Sequence, residues 1–441
     1  MAPGDSRANT GLTFFGMVGG VMAALKLKEK WNEYRRIPDE EDALGPLALH
    51  SPIDEDGMHT LDTTIPSVRL KRRKADCCVC CGMQCGLFWK AFGIVCLLLV
   101  GWQTIKFVVW MVTPSPTGLE TMPKFSASLG CSDAPHLYGD SKTTFSVPIN
   151  VDALDHIVDI NGGAVGTLTI AEGAPGATEI KYEMTLRSSD ASYLDLVTLS
   201  YSTPSEVEDP MTQSRMSLVT PIYGEAAGAC MRYDMTVYVP PSIASLSVTT
   251  RGSGATQLKF DDDSNFDLGS LYVKTYGLDE RNMILPHKGV HAGLLTLEME
   301  RGWLVGDVAI VDKTVLTTQR GDATLNTHVY PAPSSEEPPA VAQLQTTTGS
   351  GRSDIFYVNH PGHAHRQISS IHRSSRNGDL YLTYKEAECN GTVDLTAQSF
   401  SATGLQGSVR HGGDELPWVG SKDGADKIVA ESPHGWVGIY F

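Results

Sequence analysis

The chain has 441 residues and a formal net charge of −16. Residues 1–113 hold 12 acids and 13 bases, so the remainder, with 39 and 22, carries a net charge of −17. An acidic C-terminal part of that size argues against nucleic acid or anionic lipid as its partner, and it suits a hydrated surface around a real core.

In chain order, residues 11–25 (GLTFFGMVGGVMAAL) form a short apolar run. A cleaved signal peptide is the less fitting reading. Only Arg7 serves as a basic flank, and cleavage would place the later RLKRRK cluster outside. A short helix running on into KLKEKWNEYRR and resting on a membrane surface is expected instead. Ile37 to Pro66 is acidic and proline-punctuated and lacks Lys and Arg. It has too little apolar surface to offset its ordering entropy, so residues 1–84 are expected to be a largely disordered tail.

Residues 85–112 (CGLFWKAFGIVCLLLVGWQTIKFVVWMV) are the one segment long and apolar enough to cross a bilayer. From Ala91 to Val112 a helix spans about 33 Å, against about 30 Å of hydrocarbon. Trp89 and Trp110 sit near its ends at headgroup level, and Lys90 and Lys106 are close enough to the ends to snorkel. Arg69, Lys71, Arg72, Arg73 and Lys74 crowd the N-terminal flank, whereas residues 113–122 carry no base. Basic flanks stay cytosolic, so a type II topology is expected, with the C-terminal part lumenal or extracellular at the plasma membrane or in the secretory pathway.

Cys77, Cys78, Cys80, Cys81 and Cys85 abut this span on the cytosolic side. Overlapping CxxC pairs are cramped for a closed zinc site, and cysteines beside a basic cluster and a membrane fit S-acylation better. Cys96 lies within the span, and Cys131, Cys230 and Cys389 follow it. In an oxidising compartment three cysteines permit one bridge. Cys131–Cys230 is the favoured pair, because it ties the entry of the β region to the strand before the repeats. Cys131–Cys389 and Cys230–Cys389 compete with it.

Residues 113–142, rich in Pro, Ser, Thr and Gly, read as an extended stalk. From 143 to 441 apolar and polar residues alternate with period two between Gly, Pro and Asp clusters, the pattern of an all-β domain. From Ala244 a strand–glycine–strand unit recurs, with turn glycines at 252, 277, 302, 321, 349, 378, 404 and 435. Such a period predicts a β-solenoid, each coil burying its inner face on the next, with a β-sandwich of regular hairpins as the alternative.

Candidate sites are few. Asp261, Asp263, Asn265 and Asp267 follow a D-x-D-x-N-x-D spacing that could offer oxygens to Ca²⁺. Phe266 stands where an EF-hand needs glycine, and no glutamate closes the loop, so a solvated turn fits better. His360, His363 and His365 share a Pro-Gly loop without an evident supporting shell for a metal. Arg320-Gly321-Asp322 occupies an ordinary repeat turn. Asn390-Gly391-Thr392 is the sequon on the C-terminal side and the firmest candidate for modification. No G-x-S-x-G, H-E-x-x-H or P-loop motif is present, and no cofactor is expected.

The run VYVPPSIASLSVTTRGSG with the later QRGDATL and RNGDLYL resembles the putative-adhesin domains over about residues 145–441. With the tail and span, the layout is similar to single-pass membrane proteins of filamentous fungi. That resemblance implies a right-handed β-helix and a surface or adhesive role, and it brings no catalytic residues. The expected function is therefore a non-enzymatic, membrane-anchored protein whose repeats bind glycans or proteins. A polysaccharide-active β-helix enzyme and a structural spacer are the alternatives.

Overall fold

The computed structural model describes residues 14–34, 79–80, 83–112, 117–149, 154–207, 213–222, 228–318, 323–334, 337–359, 365–407 and 415–441. The chain divides into two compact units, residues 1–116 and 117–441. The disordered-tail reading of 37–66, the basic cluster 69–74, Cys77, Cys78, Cys81, Arg320, Gly321, Asp322, His360 and His363 lie outside the described residues.

The first unit holds helix α1 (Phe14–Tyr34) and helix α2 (Cys85–Val112), preceded by a two-residue hairpin of Val79–Cys80 with Met83–Gln84. Among the described residues, α2 alone is long and apolar enough to cross a membrane, over Phe88–Val108 with mean hydropathy 1.8. Cys85 is its first residue, and Cys80 closes the first hairpin strand.

The second unit is all β, in one large, mostly parallel sheet. Its chain alternates between two ladders, and from Ser245–Gly252 to Leu380–Glu386 each strand pairs with the strand two places on. In the first ladder Asp155–Gly162 is followed by Ser245–Gly252, Phe266–Thr275, Val290–Met299, Lys313–Thr318, Ala342–Thr348 and Ile368–Ser374, all parallel. In the second, Val165–Glu172 is followed by Thr256–Phe260, Met283–Leu285, Trp303–Ile310, Thr324–Pro331, Ser353–Val358 and Leu380–Glu386.

The register explains the period-two pattern. Val158, Val248, Val273, Leu297, Leu316, Thr346 and His372 align in one inward row, and Leu168, Leu258, Ile284, Leu304, Leu325, Ser353 and Leu380 in another. Nearly every member is buried, each aliphatic one contributing about 1.5–3 kcal/mol of transfer free energy.

Passage from the first ladder to the second needs a corner with almost no room. Gly252 and Gly302 have φ of 136° and 128°, and a Cβ there would lie 1.8 Å from the Gly162 carbonyl oxygen and 2.2 Å from that of Asn282. Only glycine fits both the conformation and the close approach of the preceding corner.

Both ends depart from simple repetition. At the N-terminal end the pairing turns antiparallel: Met231–Val239 on Glu179–Ser188, and the latter on Thr143–Pro148. At the other end the last strand, Asp426–Tyr440, inserts between Ile368–Ser374 or Leu380–Glu386 and the earlier Gly391–Thr403. The final two repeats therefore stack in the reverse of their chain order.

Residues 117–142, expected as an extended stalk, differ from that reading. Segment 117–131 lies as a strap across the outer face of the second ladder, held by side chains far away in sequence. Cys131 is bonded to Cys230, with Cα atoms 5.9 Å apart, closing a 99-residue separation. A closed loop of that size removes about 4.7 kcal/mol of unfolded-chain entropy by the loop-closure model.

Candidate ligand groove

Four contacts seat the strap. Arg232, 4% exposed, donates from Nη1 to the carbonyl oxygens of Ser126 and Gly130, both at 3.0 Å, and pairs with Asp234 at 2.8 Å. Gln257, fully buried, accepts from the Ser126 amide at 2.5 Å and donates to Ser128 Oγ at 2.8 Å and the Arg281 carbonyl at 3.1 Å. Asn326 Nδ2 donates to the Thr117 carbonyl at 3.3 Å, and Lys259 lies over the Phe125 ring at 5.7 Å. These groups belong to strands whose neighbours leave them on the outer face. The strap supplies hydrogen bonds that a buried polar group needs.

Between the strap and the ladder is a groove of about 350 Å³. Gly118, Thr121 and Pro123 form one wall, and Glu280, Arg281, Arg301, Trp303 and Thr324 line the other. Trp303 opens a second-ladder strand, and its Nε1 donates to the Glu280 carbonyl at 3.0 Å, so the half-buried indole is held in place. Arg281 is paired with Asp279 through two contacts of 2.6 and 3.0 Å, and Arg301 reaches Glu280 at 3.3 Å. Burial pushes the Asp279 carboxyl up, but the Arg281 guanidinium more than offsets it and leaves Asp279 below its ordinary value. The wall thus combines an aromatic surface, hydroxyls and oriented charges of both signs. Such a set offers a ring to stack on and donors and acceptors for hydrogen bonds.

More aromatics sit beside it. Arg352 pairs with Asp354 and lies 3.9 Å from the Tyr381 ring centre, and Tyr381 contacts Trp436 at 4.7 Å. A Cβ on Gly118 would come within 3.1 Å of the Arg352 side chain, so the strap meets this cluster directly.

The residues singled out from sequence fall elsewhere. Asp261 accepts from Ser264 Oγ at 3.3 Å, Asn265 donates its amide to Glu172 at 3.0 Å, and Asp267 faces His291 at 3.4 Å. Phe266 is buried in the core and splits the D-x-D-x-N-x-D run, so its oxygens do not converge. No three His, Cys, Asp or Glu side chains come together as a metal site among the described residues. His365 contacts Asp426 at 3.0 Å, and buried Asp426 also accepts from the amides of Ile368 and Asn390, both at 2.7 Å. That carboxylate staples three strand starts. Asn390 is exposed, with its Oδ1 accepting from the Ser421 amide at 2.6 Å. Beside it, burial and then the Asp426 charge push the half-buried Cys389 thiol up to about 12, so it is a poor nucleophile.

The sequence reading did not anticipate two buried histidines. His156 sits between Ser214 Oγ, at 2.8 Å, and the Tyr182 hydroxyl. His372 sits between Thr346 Oγ1 at 2.8 Å and Tyr384 at 2.7 Å. Both fall at inward positions of alternating strands, the signal that could have found them.

No family model matches the chain, and no curated protein matches it. Among solved structures, a putative cell adhesion protein from Clostridium sporogenes is similar at 9% identity with a TM-score of 0.23, covering 68% of this chain and 99% of that one. At that identity and score the likeness carries nothing about what the chain binds.

Burial lowers both imidazoles to a pKa of about 3. Unfolded histidine titrates near 6.5, so the unfolded state takes up protons first as pH falls, and stability is lost between about 6.5 and 3. From pH 7 to pH 5 each should cost about 2 kcal/mol. Urea titration of residues 117–441 at both pH values should show His372→Gln losing about 2 kcal/mol less than wild type. An unchanged pH slope would count against neutral burial.

Proposed function

We propose that the protein is a single-pass, type II membrane-anchored, adhesin-like binding protein, non-enzymatic, whose β region is a solenoid presenting the Trp303 groove to a glycan. The groove carries this reading. Its described lining holds an aromatic ring, two guanidiniums and two threonine hydroxyls, but one carboxylate, Glu280. Glycoside cleavage commonly needs two carboxylates flanking the bond, so the set favours holding a saccharide over cutting it. For the solenoid, the support is that from Ser245–Gly252 to Leu380–Glu386 every strand is joined in parallel to the one two places on; a sandwich is built mainly of antiparallel pairs. The anchor rests on the length of α2, and its orientation rests on the basic flank Arg69 to Lys74.

Residues 117–441 form their own compact unit and suit direct binding assays. Against a panel of polysaccharides, at least one should be retained, and Trp303→Ala should weaken it by about ten-fold or more at unchanged melting temperature. No reducing ends should appear. Release of reducing ends, or full binding by Trp303→Ala, would overturn the reading.

Topology is testable through the sequon. In cells, Asn390 should carry an N-glycan that glycosidase removes and Asn390→Gln abolishes, while protease on sealed microsomes removes an N-terminal tag. An N-terminal tag spared by the protease, with a C-terminal tag lost, would invert the orientation.

A further inference from the structure

Helix α1 is apolar all round for its first half. Phe14 to Leu25 (FFGMVGGVMAAL) holds no charge, and Lys26, Lys28 and Lys30 follow at once. One stripe of that half packs on α2: Val18 is buried with Ala91 and Val95, and Met17, Val21, Met22, Leu25 and Phe88 close around them. Among the described residues nothing covers the other side. Gly19, Gly20, Ala23 and Ala24 are exposed, and farther along Leu27 and Trp31 are 70% and 68% exposed.

The position of this contact matters. Phe88, Ala91 and Val95 lie in the first two turns of the apolar span Phe88–Val108. Val95 is seven residues beyond Phe88, about 10 Å along the axis. A helix resting only on the headgroups cannot reach a side chain at that depth. Helices that lie in the interface also keep a strongly polar face, and residues 14–25 have none. Yet 12 residues cover only about 18 Å, too short to cross about 30 Å of hydrocarbon. The lysine run cannot follow the apolar half into lipid, and it suits the headgroup level, where Trp31 also fits as an interfacial ring.

We propose that residues 14–25 are a second membrane element, inserted part-way into the leaflet at the N-terminal end of α2, with acyl chains covering the face that α2 leaves bare. This rests on reading α2 as the membrane span, and it replaces the surface-resting helix expected from sequence.

The test uses the full-length chain in phosphatidylcholine/phosphatidylserine vesicles, with every cysteine except Cys131 and Cys230 replaced by serine. Single cysteines are placed by Gly20→Cys, Ala24→Cys, Glu29→Cys and, in α2, Val100→Cys, and each is labelled with an environment-sensitive fluorophore. Positions 20 and 24 face away from α2, so packing on it cannot shield them. Labels at 20, 24 and 100 should lose most of their fluorescence to spin-labelled lipid and little to iodide, and the label at 29 should do the reverse. If 100 is quenched by lipid but 20 and 24 by iodide, α1 lies in water and the proposal fails alone. If 20 and 24 respond to neither quencher, protein covers that face and the proposal also fails. If 100 itself responds to iodide, the spanning reading of α2 fails and the proposal with it.

Discussion

Parallel pairing of each strand with the strand two places on, from Ser245–Gly252 to Leu380–Glu386, is the constraint from which the rest of the β unit follows. Backbone donors and acceptors of one strand are satisfied by the next strand of its ladder, about 4.8 Å away, so successive strands must share a register. Shared register brings like positions into rows, and a row stays packed only if its members match in volume, as Val248, Val273, Leu297 and Leu316 do. It also leaves no space at the corners, which is why Gly252 and Gly302 sit where a Cβ would strike the carbonyls of Gly162 and Asn282. At the N-terminal end Ser214–Val219 and Met231–Val239 pair in parallel with Asp155–Gly162 and Val165–Glu172, so neither ladder's first strand presents a bare edge.

The strap depends on that ladder and in turn makes the groove. Arg232 and Gln257 are outward positions that end up buried, and their hydrogen-bond capacity is met in large part by Ser126, Ser128 and Gly130. Leaving a buried donor or acceptor without its partner costs about 1–3 kcal/mol, so lifting the strap from Arg232 and Gln257 is unfavourable. One wall of the groove is therefore as rigid as the ladder. A wall held beside Trp303 loses little entropy when a ligand binds.

Much of this fold could be read along the chain. Strand–glycine–strand units mark the ladders because inward residues and corner glycines recur locally: Gly252 ends a first-ladder strand, and Gly277, Gly302, Gly349 and Gly378 each follow one. Cys131 and Cys230 are joined, the pair favoured from their places at the entry of the β region and before the repeats. The strap was not legible, because TPSPTGLETMPKFSASLG has a linker's composition and its order comes from Arg232, Gln257 and Asn326, over 100 residues away. Reversal of the last two strands was hidden for the same reason, since pairing order is a long-range property. The D-x-D-x-N-x-D run looked like a cation loop because spacing is local, whereas burial of Phe266 in the core is not.

If the strap is the fixed wall of the binding groove, amide exchange in the full-length chain measures it most directly. The amide of Ser126, which donates to buried Gln257, should exchange as slowly as amides in the neighbouring strands. Gln257→Ala should speed that amide while leaving the strand Val290–Met299 protected. Free-chain exchange across residues 117–131 beside a protected ladder would contradict the fixed wall, and with it the groove as the place where a ligand is held.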